Sequence, residues 1–107
     1  MADNWYIIVH KATVLPMIGS RAYDLESEAR SRILELGEYA PAYEVVEVQK
    51  VGTPALNRKS WYINIKCHDG KPSETMRVWS NREDAVKERD RFVGGTTFDV
   101  VEIQATN

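Results

Sequence analysis

A self-similarity at a spacing of 56 residues constrains this chain more than any other feature. Trp5-Tyr6-Ile7 returns as Trp61-Tyr62-Ile63, Arg21 as Arg77 and Ala29 as Ala85. One residue is then lost. Tyr43-Glu44-Val45-Val46-Glu47-Val48-Gln49 meets Phe98-Asp99-Val100-Val101-Glu102-Ile103-Gln104 at a spacing of 55. Two copies are too few for a solenoid, which needs about three. They suit one pseudo-symmetric domain, with repeats 5–49 and 61–104 joined by a linker at 50–60. A chain of 107 residues holds a single domain by length and can bury one modest core.

Each repeat reads as ββαβ. Residues 5–11 are aromatic and β-branched, without Gly or Pro, and read as a strand. Strand alternation sends Trp5, Ile7 and Val9 to one face and Tyr6, Ile8 and His10 to the other. In the second repeat the tryptophan side carries Trp61, Ile63, Ile65 and Cys67; the other side carries Tyr62, Asn64, Lys66 and His68. Only the tryptophan side is apolar throughout, so that side is the expected core. Residues 20–23 and 75–79 read as second strands, and 43–51 and 97–104 as third strands. On the third strands Val46, Val48, Val101 and Ile103 should point inward.

Asp24 and Ser80 stand where helix N-caps belong, and Ser80 with Glu83 fits a capping box. The first helix is expected over 25–38, with Leu25, Ala29, Ile33 and Leu36 buried. The second is expected over 81–93, with Ala85, Val86, Phe92 and Val93 buried. Gly37 with Pro41, and Gly94-Gly95, supply the stops. A right-handed crossover puts each third strand beside the first of its own repeat. Joined edge to edge, the two units predict an α+β fold: a tandem ββαβ duplication forming a pseudo-symmetric, mostly antiparallel six-stranded sheet with two helices packed on one face. Two sheets packed face to face are the alternative.

Composition narrows the functional classes. A net charge of −2 argues against a dominant nucleic-acid footprint. The one local excess of base is in the linker, where Lys50, Arg58 and Lys59 stand without an acid. No apolar run reaches the roughly 18 residues of a membrane span, so no membrane partner is expected. No signal-peptide pattern is visible, and the single cysteine, Cys67, cannot form an internal disulfide. A cytoplasmic protein is the expectation.

For catalysis the residues offer little. His68 adjoins Cys67, but neighbouring strand residues point to opposite faces. There is no C-x-x-C, no H-x-x-x-H and no phosphate-cradling glycine loop. The expectation is a protein that is not an enzyme and uses no metal or cofactor. Residues 61–85 are similar to the hairpin-then-helix of ethylene-response-type and integrase arm-type DNA-binding domains. Those domains place three strands before the helix and carry a basic sheet. This chain has two strands and no basic excess, so no DNA-contacting residue is carried over.

Two surfaces stand out. Tyr6, Tyr62, Tyr43, Phe98 and Lys66 gather on the outward face of the predicted sheet, where aromatics and bases could stack and neutralise a single-stranded nucleic acid. Glu47 and Glu102 on the same face would repel phosphate. The first hairpin loop carries Val14, Leu15, Met17 and Ile18, whereas its counterpart, Asp69-Gly70-Lys71-Pro72-Ser73-Glu74, is a polar turn. Apolar residues exposed in a row mark a protein-binding patch, and methionine suits an adaptable contact.

The leading expectation is therefore a small non-enzymatic binding protein that docks on a protein partner through the 14–18 loop. Its size and acidity associate it with phage- or mobile-element-type inhibitors of host or defence machinery. A single-stranded nucleic-acid-binding module is the alternative. Either reading allows a monomer or a homodimer.

Overall fold

Apolar residues alternating at 5, 7 and 9, and again at 61, 63 and 65, form the outer strands of one sheet. The computed structural model describes residues 4–53, 55–92 and 97–106. In chain order the elements are β1 (Asn4–His10), α1 (Glu26–Leu34), a 3-10 turn (Gly37–Ala42), β2 (Tyr43–Lys50), β3 (Ser60–Lys66), α2 (Arg82–Arg91) and β4 (Phe98–Ala105). The strands lie in the order β1-β2-β4-β3, and every pair is antiparallel. Trp5 faces Val48 across β1 and β2; Trp61 faces Ile103 across β3 and β4. The two halves join where Val48 meets Ala105, Gln49 meets Gln104 and Lys50 meets Ile103.

The sheet has four strands, not the six expected, and is curled into a half-barrel. The expected second strands are reduced to isolated bridges, Tyr6 with Tyr23 and Tyr62 with Trp79. Pro16 and Pro72 make two further isolated bridges, to Val9 and Ile65. In the first half the chain then turns, with Ser20 N–H donating to Met17 O at 3.1 Å. The segments still run beside the outer strands, and Val78 N–H donates to Ser20 O at 3.0 Å. That bond spans the open side of the curl.

Closure decides what each face does. The tryptophan side lines the interior, where Trp5, Ile7, Val9, Val48, Trp61, Ile63, Ile65, Val101 and Ile103 pack with Ala22 and Val78. These are the expected core residues, but no helix covers them. Two tryptophans and branched side chains fill a curl this narrow, as in small barrels. The helices lie on the tyrosine face instead, which overturns the expectation that this face is open. Ala29 of α1 packs with Ile8, Met17 and Tyr23, flanked by Tyr6, Ile33, Leu36, Tyr43 and Val45. On the other half, buried Asn64 reaches α2 with an Nδ2–H bond to Ala85 O at 3.0 Å.

The helices depart from their expected limits. α1 ends at Leu34, Gly37 takes φ 59°, and the 3-10 turn carries Pro41. Leu25 is its N-cap and is exposed rather than buried. The cap of α2 is Asn81, whose side chain accepts from Asp84 N–H and donates Nδ2–H to the Asp84 carboxylate, so the cap falls one residue after the expected Ser80. Phe92 is exposed beside Phe98, their ring centroids 6.1 Å apart. Val93, Gly94 and Gly95, expected to end this helix, lie outside the described residues. No described helix is long and apolar enough to cross a membrane.

Candidate binding site

The first hairpin loop and the polar turn share one backbone course. Val14 N–H donates to His10 O at 2.8 Å and His10 N–H to Leu15 O at 2.9 Å. In the second half Gly70 N–H donates to Lys66 O at 2.7 Å and Lys66 N–H to Lys71 O at 2.8 Å. This turn needs a left-handed residue. Gly70 supplies it at φ 71°, and Val14 supplies it at φ 61°. A β-branched residue there is strained, by about 1–2 kcal/mol. Val14 is held by its surroundings. Its side chain packs against the interior cluster, and its carbonyl accepts from Trp61 Nε1–H at 3.0 Å.

Beyond the turn the backbone stays pinned. Pro16 bridges Val9, Met17 N–H donates to Ile8 O at 2.9 Å, and Ser20 Oγ–H donates to Met17 O at 2.9 Å. The side chains therefore divide. Met17 is only 6% exposed and packs under α1, a correction to its expected place on an exposed patch. Leu15 at 44% and Ile18 at 89% stand out in solvent. Met17 is held to Ile8 through its backbone and packs with it, whereas Leu15 and Ile18 stand clear of the sheet.

The loop forms one wall of a cleft of about 230 Å³; Val78, Trp79, Ser80 and Asp84 form the other. A polar cleft of about 410 Å³ adjoins it, lined by Arg21, Tyr23, Glu74, Thr75 and Met76. Gly19 and Arg77 belong to both. Comparison with protein-family models, curated proteins and solved structures finds no significant match to this chain. Geometry and chemistry alone must carry the functional reading.

The wall opposite the loop is fastened by an unexpected residue. Glu88 of α2 is 9% exposed, and its carboxylate accepts from Trp79 Nε1–H at 2.8 Å and from Arg77 N–H at 3.0 Å. Charge-assisted bonds of this kind are roughly twice as strong as neutral ones. In the first half Arg21 lies 4.4 Å over the Tyr23 ring and 3.8 Å from Glu28. Burial pushes the Tyr23 phenol above its ordinary pKa, against the opposing pull of Arg21 and Arg32. Repetition of arginine at 21 and 77 was visible in the sequence. Glu88 was not, since a lone acid on a charged helix reads as solvated.

The sheet-face residues do not form an open platform. Tyr6 and Tyr43 pack beside α1 and Phe98 meets Phe92, while Tyr62 is half-buried. Lys66 is paired with Asp69 at 3.4 Å and Glu74 at 3.9 Å. Lys50, Arg58 and Lys59 are exposed, but the linker is fastened to β4. Arg58 Nη1–H donates to Ala105 O at 2.9 Å, and buried Gln104 exchanges bonds with Ala55 N–H and O.

A larger groove, about 480 Å³, lies between α1 and β2. It contains no residue of the loop, and its Arg30 is paired with Glu26 at 2.5 Å, so size alone does not make it the site. Among the described residues no group of three or more His, Cys, Asp and Glu side chains is placed to hold a metal ion.

Proposed function

We propose that this chain is a non-enzymatic binding protein that docks on a protein partner through Leu15, Ile18 and the cleft beside them. One observation supports the reading above the rest: two large apolar side chains stand in solvent on a loop whose backbone is pinned on both sides. A surface loop ordered in advance loses little entropy on binding, so its apolar contacts translate into affinity. The mechanism is occupation of a partner's surface, with Trp79 as an aromatic wall of the receiving cleft.

The test is capture from a cell lysate on the immobilised chain, with and without nuclease. Leu15→Ser with Ile18→Ser is the variant to use. Met17 must be left alone, because its burial would turn a binding test into a stability test. The captured protein should bind the variant at least about tenfold more weakly, a loss of 1.4 kcal/mol. The thermal midpoint should stay unchanged. Capture that persists with the variant, or that nuclease abolishes, would sink the reading; the second outcome would favour nucleic acid.

A further inference from the structure

We propose that the unpaired edge of β2 at Tyr43–Val45, with the groove beside α1, takes up an extended apolar segment of a protein partner as an added strand. This surface is separate from the 14–18 loop and does not depend on it.

The register of the sheet shows which backbone groups are open. On β1 the N–H groups of Tyr6 and His10, and the carbonyls of Tyr6, Ile8 and His10, bond to residues 14–23 on the side away from β2. Alternation leaves Trp5, Ile7 and Val9 to bond with Val48, Val46 and Glu44, and turns the backbone of Tyr43, Val45, Glu47 and Gln49 the other way. On that side β4 begins only at Glu47, where Thr106 N–H donates to Glu47 O at 3.0 Å, and Gln49 pairs with Gln104. Tyr43 N–H is taken by Ala40 O. Among the described residues the Tyr43 carbonyl and both backbone groups of Val45 have no partner.

Burial reports the same gap. Val48, with a strand on either side of it, is 0% exposed. Val46 and Val45 are only partly buried, one against the interior and the other against the α1 cluster. The groove of about 480 Å³ lies here, lined by Tyr43, Glu44 and Val45 and, on α1, by Ile33 and by Leu34, which is 76% exposed.

A carbonyl, an amide and a second carbonyl at strand spacing are matched by another extended backbone. A helix bonds its own backbone groups internally, and a nucleic acid would bring phosphate beside Glu44 and Glu47. A second copy of this chain fits badly. Pairing β2 with itself through Tyr43 and Val45 sets Glu44 directly opposite the same glutamate of the other copy, and like charges so placed are destabilising. The next register needs the Glu47 carbonyl, which Thr106 already holds. The occupant is therefore a strand of a different protein, with apolar side chains turned toward Ile33 and Leu34 on one face and toward Val46 on the other.

Two measurements on the full-length chain test this. In amide hydrogen exchange Val45 should exchange at least about tenfold faster than Glu44 and Val46, whose N–H groups are held by β1. A Val45 amide protected like its neighbours would overturn the proposal. Phage-displayed random linear peptides are then selected on the chain. The consensus should be rich in Val, Ile, Leu or Phe, and methylating its backbone amides one at a time should weaken binding about tenfold or more at alternate residues. Leu34→Lys, at an exposed position, should weaken it as much with the thermal midpoint unchanged, whereas Leu15→Ser/Ile18→Ser should have no effect. A selection that enriches nothing, methylation losses without alternation, or binding indifferent to Leu34 would each remove the added strand. Binding lost with Leu15 and Ile18 instead would overturn this edge site and support the loop as the docking surface.

Discussion

At the scale of single residues, one position shows how the two halves differ. The turn after β1 and the turn after β3 both require a left-handed residue, and only the second has glycine there. A Cβ built on Gly70 meets nothing within 4 Å, so Gly70→Val should be penalised by its backbone alone. Stability is expected to fall by about 1–2 kcal/mol, read as a shift of the urea midpoint without a change of slope. An unchanged midpoint would mean that this turn does not need its left-handed residue. Val14 bears the same strain because Trp61 and the interior hold it, and those contacts anchor the segment that presents Leu15 and Ile18. Neither fact was legible in the sequence. The greasy loop was visible at Val14, Leu15, Met17 and Ile18, but sequence alone could not divide its residues between core and solvent. Burial of Met17 follows from the backbone bond to Ile8, a contact set by tertiary course.

At the scale of elements, local chemistry told where helices begin to within a residue. The sequence pairs Ser80 with Glu83 at the start of α2, and the structure uses Asn81 with Asp84. Asn81 wins because its side chain accepts from the Asp84 amide at 2.9 Å while its own backbone is extended. Asn81→Ala should therefore reduce stability by about 1 kcal/mol in thermal unfolding, and Ser80→Ala should leave the start of the helix intact. The reverse ranking would restore Ser80 as the cap. The second strands show the opposite case. Residues 20–23 and 75–79 have strand-like composition, yet each makes one bridge before its helix begins. Composition could not reveal this, because pairing depends on the course of the chain beside the outer strand, which in the first half turns at Met17–Ser20.

At the scale of the whole molecule, the bonds that join the halves among the described residues include the β2–β4 pairing, extended by Val51 N–H to Glu102 O and Thr106 N–H to Glu47 O, the Val78–Ser20 bond and the Trp61–Val14 bond. The two tryptophans offer a comparison. Both are buried, at 4% for Trp5 and 1% for Trp61. Trp61→Phe should destabilise by about 1 kcal/mol more than Trp5→Phe, since it also leaves the Val14 carbonyl without its donor. Parallel urea titrations measure this, and equal losses would show that the bond between the halves contributes nothing net. The apolar alternation determined by itself which side of each strand lines the interior, because a pleat of period two gathers Trp5, Ile7 and Val9 on one side, but it did not reveal that Ile8, Asn64, Val100 and Gln104 on the other side are buried too. It also marked the first loop as unlike its twin, and the repetition of Arg21 as Arg77. Tertiary structure alone decided that four strands pair, that the helices lie on the tyrosine face, and that Met17 and Glu88 are buried. Those outcomes depend on the curl closing upon two tryptophans, and on bonds between residues far apart in the chain, which no local pattern encodes.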